Sequence, residues 1–146
     1  MNKKIFAVLI VFAVAVVGCA YAADTTDSSN NNTVTISEIN FTIPEGFSED
    51  VSEAVVNQSE SDDGYTYVTN EKTFERGDHI LEISVSKYEQ NITNDMIKNS
   101  GKKVIINNVT GYLGDVGILA VFSYIKEGKL VCIVSDNKEI INEVVS

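Results

Sequence analysis

Gly117 to Ser146, GILAVFSYIKEGKLVCIVSDNKEIINEVVS, decides the fold. On alternation Ile118, Ala120, Phe122 and Tyr124 share one face, and Leu119, Val121, Ser123 and Ile125 share the other. Both faces are mainly apolar, so this strand is expected to be covered on both sides. Glu127-Gly128 supplies a two-residue turn, with the glycine free to take positive φ. Leu130, Cys132 and Val134 then alternate with Val131 and Ile133 in a second central strand. Asp136, with Glu139 three residues on, reads as a near capping box. Ile140, Ile141, Val144 and Val145 follow at helical spacing, an apolar stripe that should lie on the sheet.

Working outward, the preceding segments are weaker. Val34 to Pro44 reads as a strand or narrow hairpin ending at the only proline. Phe47 to Gln58 carries Val51, Val55 and Val56 at roughly helical spacing, and Ser59 to Gly64 reads as a loop. Tyr65 to Phe74 is expected to be a strand near a sheet edge. Glu75 to Asp78 turns the chain into His79 to Tyr88, with Leu81, Ile83 and Val85 inward and Glu82, Ser84 and Ser86 on a wet face. Asn91 to Ser100 should hold a short helix capped by Thr93 or Asn94 and stopped by Gly101. Lys102 to Val109 reads as a strand, and Thr110-Gly111 and Leu113-Gly114-Asp115 as breaks before Gly117. The sum is an α+β domain: a mostly antiparallel sheet of six or seven strands, one or two helices packed on one face, and a signal helix in front.

The chain has 146 residues, 44% of them hydrophobic, enough for one domain with a core of its own. Its formal net charge is −10, and residues 1–22 hold Lys3 and Lys4 but no acid, so the remainder carries −12. Such a chain repels phosphate backbones and anionic lipid, which argues against nucleic-acid binding. Of the cysteines, Cys19 lies in the leader and Cys132 alternates with aliphatic residues, so neither a disulfide scaffold nor a zinc site is expected.

Residues 1–22 are the clearest pointer to function. Lys3 and Lys4 precede an unbroken apolar run from Ile5 to Val17, and Ala20-Tyr21-Ala22 fits small-x-small cleavage before Ala23. Two alternatives stay open. Val16-Val17-Gly18-Cys19 has the form of a lipobox that would attach lipid to Cys19, and an uncut segment would serve as a signal anchor. In each case the body of the chain ends outside the cytoplasmic membrane. Residues 23–33 form a polar spacer, and 34–146 the single globular domain.

Catalytic motifs are scarce. His79 is the one histidine, without a nucleophile-elbow motif beside it. Glu60, Asp62 and Asp63 before Gly64 resemble half a calcium loop but miss the EF-hand spacing. No glycine-rich phosphate loop occurs, so no cofactor is expected, and no carboxylate pair stands out for hydrolysis. Arg76-Gly77-Asp78 spells an adhesion tripeptide from ordinary hairpin-turn residues. Asn31, Asn40, Asn57, Asn91 and Asn108 each head an N-glycosylation sequon, candidate acceptors if the host glycosylates exported chains.

The leader ending in AYAAD, then INFTIPEGF, NNVTGYL and FSYIKEGKLVCIVSDNKEIINEVV, resembles small exported proteins of methanogenic archaea. The layout is also similar to PsbP-type α/β sandwiches, which implies a docking or accessory role and carries over no functional residue. The function expected is an extracytoplasmic, non-enzymatic module of the cell envelope or secreted fraction that binds a protein or ligand partner. A carboxylate-dependent hydrolase and a calcium-responsive surface protein are the alternatives.

Overall fold

A computed structural model describes residues 32–145. The expected signal helix, the Cys19 lipidation site, Asn31 and most of the 23–33 spacer lie outside these residues. The elements are β1 (Thr33–Ile36), β2 (Ile39–Thr42), β3 (Ser48–Asp62), β4 (Tyr65–Arg76), β5 (His79–Tyr88), α1 (Asn94–Ile97), β6 (Lys102–Ile106), β7 (Val109–Val116), β8 (Leu119–Lys126), β9 (Lys129–Ser135) and α2 (Lys138–Val144). Among the described residues β1 and β2 pair by themselves. The other strands form one antiparallel seven-stranded sheet in the order β3-β4-β5-β9-β8-β7-β6.

Register assigns the faces. Phe74, Leu81, Ile83, Val85, Phe122, Tyr124, Val131 and Ile133 point one way and join Ile140, Ile141 and Val144 of α2 in the main core. Ile36, Ile39 and Phe41 of the β1–β2 hairpin close the same core. Lys129 fastens the hairpin to the sheet, donating from Nζ to the Ser37 carbonyl at 2.7 Å and to Glu38 at 2.8 Å. On the opposite face Leu130, Cys132 and Tyr112 pack against Ile97 of α1. The two helices therefore cover opposite faces instead of sharing one. The alternation in β9 requires this, because both Val131-Ile133 and Leu130-Cys132 need apolar cover.

Several local expectations shift. Residues 48–62 are a strand where the valines suggested a helix. The edge of β4 offers a backbone ladder, and pairing outweighs weak helical spacing. That strand is irregular between Asp50 and Gln58, where Asn57 takes φ 51° and its N–H is met by Asn70 Oδ1 at 2.8 Å. The 59–64 loop shrinks to a turn at Asp63-Gly64. Thr110 to Asp115 does not break but runs as β7, after a turn at Asn107-Asn108. Glycine permits this: a Cβ on Gly111 would stand 2.6 Å from the Phe122 ring. Ile118 lies in the β7–β8 turn, 89% exposed, and the strand starts one residue later. Helix α2 is capped by Asn137, whose Oδ1 accepts from the Glu139 N–H at 3.0 Å, because Asp136 is engaged elsewhere. Thr93 is the N-cap of α1, without a side-chain cap bond.

Candidate binding face

The α1 face of the sheet has two halves. Helix α1 covers β7, β8 and β9. Across β3, β4 and β5 the same face carries a polar array instead. Register places Asp50, Val55, Gln58, Glu60 and Asp62 of β3 beside Tyr65, Tyr67, Thr69, Glu71 and Thr73 of β4. These in turn adjoin Tyr88, Ser86, Ser84 and Glu82 of β5. Lys72 and Lys87 alternate onto the α2 face, so apart from Val55 and Gln58 these positions hold carboxylates, hydroxyls and tyrosines without a lysine or arginine.

Three contacts organise the array. Tyr67 stacks on Tyr88 with centroids 4.7 Å apart, and Tyr65 meets Tyr88 edge-on at 6.3 Å. The Tyr67 hydroxyl donates to Glu60 Oε2 at 2.8 Å; burial, then this carboxylate, pushes the phenol well above its ordinary range. Burial likewise pushes Tyr88 up to about 12. The hydroxyls of Thr69 and Ser86 bond across the strands at 2.8 Å.

At the centre, Glu71 and Glu82 sit diagonally across the β4–β5 ladder, since Glu71 pairs with Ser84 and Glu82 with Thr73. The two carboxyl groups bear on each other's titration across this diagonal. Burial is the main cause that pushes Glu71 up, followed by the charge of Glu82; burial also raises Glu82, which is 9% exposed. Glu53 and Glu60 of β3 add to the repulsion on Glu71. Beside them Cys132 is buried and unpaired, its thiol pushed up to about 11 by desolvation, and its Sγ lies 3.5 Å from Ser123 Oγ. This is a structural thiol, as its alternation implied. Chemically the array can hold cations, stack planar groups on tyrosine and exchange one proton in the glutamate pair.

The residues singled out from sequence lie elsewhere or do other work. Nδ1 of His79 donates to Asp136 Oδ2 at 2.8 Å, and Asp136 Oδ1 accepts from the Ile80 N–H at 3.0 Å. Burial pushes the Asp136 carboxyl up, but these hydrogen bonds outweigh it and hold the group below its ordinary range. Ser135 adjoins Asp136 yet donates to the Ile80 carbonyl at 2.7 Å and is fully buried, so the three residues fasten β5 to β9 and do not form a triad. Glu60 serves Tyr67 and Gln58, and Asp63 forms the β3–β4 turn. Among the described residues no group of three or more His, Cys, Asp or Glu is arranged to hold a metal ion. Arg76 folds back over the Phe47 ring at 4.5 Å and donates to the Glu45 carbonyl at 2.9 Å, so its guanidinium is not presented with Asp78. Asn40, Asn57, Asn91 and Asn108 are all exposed.

The glutamate pair and the tyrosine stack were not singled out from sequence. The signal was present in two alternations, Tyr67-Thr69-Glu71-Thr73 and Glu82-Ser84-Ser86-Tyr88, but only strand register joins them. Comparison with protein-family models, curated proteins and solved structures returned no match.

Proposed function

We propose that the protein is an extracytoplasmic, non-enzymatic module of the cell envelope or secreted fraction, and that the acidic, tyrosine-bearing face of β3–β5 binds a cationic partner. One observation carries the binding reading: Asp50, Glu60, Asp62, Glu71 and Glu82 share that face with Tyr67 and Tyr88 and with no cationic side chain. Carboxylates attract lysine and arginine, and tyrosine rings hold their cations by cation–π contact. The export reading rests on residues 1–22, which direct the chain outward as a cleaved signal helix, a lipid anchor at Cys19 or an uncleaved signal anchor. The exposed sequons at Asn40, Asn57, Asn91 and Asn108, with Asn31 beside them in sequence terms, are its glycan acceptors.

Two experiments test it. Mass spectrometry of the native protein reads the mature N-terminus, a lipid on Cys19 and any glycan; an intact, unmodified chain recovered from the cytoplasm overturns the export reading. Titration with a lysine-rich peptide, followed by NMR, should perturb Tyr67, Thr69, Glu71 and Ser84 and should weaken with salt. Perturbation confined to other surfaces, or equal binding of a glutamate-rich peptide, overturns the face.

The raised Glu71 carboxyl beside Glu82 favours one second reading, a carboxylate-dependent hydrolase. Hydrolysis of a glycoside or peptide library that disappears in Glu82→Gln would decide for this reading.

A further inference from the structure

The two ends of the seven-stranded sheet differ in charge and match in form. β3 closes one end and β6 the other, each bonded to a single neighbouring strand among the described residues. β3, SEDVSEAVVNQSESD, holds Glu49, Asp50, Glu53, Glu60 and Asp62 and no lysine or arginine. β6, KKVII, begins with Lys102 and Lys103 and holds no acid. Of the large hydrophobic side chains left exposed among the described residues, Val51 (76%) and Val56 (73%) lie on β3 and Ile105 (71%) on β6. Past its irregular stretch, β3 is regular over 58–62, the same length as the five residues of β6.

We propose that β6 of one copy adds to β3 of a second copy, extending the sheet from molecule to molecule. Each edge exposes backbone N–H and C=O groups that a strand of another chain satisfies. Charge favours one pairing. Antiparallel β3 against β3 over 58–62 sets Glu60 against Glu60, and antiparallel β6 against β6 sets Lys102 and Lys103 against Ile106 and Ile105, without a counter-charge; only β3 against β6 joins opposite signs, with Lys102 facing Asp62. Opposite charge thus favours the mixed pair over either like pair. That contact uses two different surfaces of the chain, so it does not close into a two-fold dimer and the association is open-ended.

The test uses the purified protein in the form its host produces, together with two charge-reversed variants, Lys102→Glu/Lys103→Glu and Glu60→Lys/Asp62→Lys. By sedimentation velocity, the wild type should form a concentration-dependent ladder of species. The ladder should collapse between about 0.01 M and 1 M salt, as the screening length falls from about 30 Å to about 3 Å. Each variant alone should remain a monomer. An equimolar mixture should regain the ladder, because each then offers the edge the other has lost; general damage to the fold would not be rescued by mixing. A wild type that stays monomeric at low salt up to millimolar concentration overturns the proposal. So does a ladder that survives in both variants, or one that the mixture fails to restore.

Discussion

The two halves of the α1 face were built from the same strand pairing and came out opposite. Under α1, β8 and β9 present Val121, Ser123, Leu130, Cys132 and Val134, all buried. Two strands further along, β4 and β5 present Thr69, Glu71, Glu82, Ser84 and Ser86 from the equivalent positions. The other side of both halves is one apolar core against α2 and the β1–β2 hairpin. The difference teaches that cover, not strand propensity, sets the composition. A strand buried on both faces must be apolar throughout, while a strand with one open face is free to spend alternate positions on charge.

The sharpest way to break the comparison is to remove side chains from the covered half and from the edge of the open one. Phe122→Ala empties a fully buried site and should cost about 3–5 kcal/mol, whereas Val56→Ala at the β3 edge should stay within about 0.5 kcal/mol; denaturant unfolding measures both. Next, Gly111→Ala should lose about 1–3 kcal/mol, because its Cβ would press on the Phe122 ring and on the Ser123 carbonyl, each at 2.6 Å. A neutral Gly111→Ala would mean that β7 is not held as close as described.

Asp136→Ala should cost about 1–2 kcal/mol, since it strips the Ile80 N–H and His79 of their acceptor where β5 meets β9. The sign with pH follows from its lowered pKa. The stabilisation from Asp136 is present above the unfolded value of 3.8 and is lost as pH falls through the lower folded value. Thermal melts of Asp136→Ala should therefore approach those of the wild type in strong acid.

The smallest effect belongs to the open half and runs the other way. Glu71 is raised from 4.5 to about 7, so its pair with Glu82 stabilises fully below pH 4.5 and loses that contribution as pH rises toward 7. Solvent at this partly open face screens the interaction, so the loss should be on the order of 1 kcal/mol. Glu71→Gln, which keeps a donor to Glu82 without a titrating proton, should flatten the stability profile over that interval. A wild-type profile already flat there would show that Glu71 is not raised in the fold.

Much of the covered half was legible in the chain. The double apolar alternation of 119–134, the Glu127-Gly128 turn and the stripe of Ile140, Ile141 and Val144 are local patterns, each readable without knowing its neighbour. In the open half the strands β4 and β5 and the polar face of β5 were legible too, but β3 becomes a strand only through the ladder that β4 offers, and Glu71 meets Glu82 only through the β4–β5 register. Asp136 shows the same limit at one residue: its spacing to Glu139 suggested a cap, but His79 and the Ile80 N–H, far back in the chain, claim it first.

By itself, then, the sequence determined which strands are central, where the closing helix lies, how acidic the molecule is and that Cys132 is buried. These depend on composition and on periods of two and 3.6 residues, which neighbours along the chain express. Tertiary structure decided which faces the helices cover, that the valines of 51–56 belong to an edge strand, and that Glu71 and Glu82 are neighbours. Those depend on strand register and on which face finds cover, quantities set by contacts between residues distant in the chain.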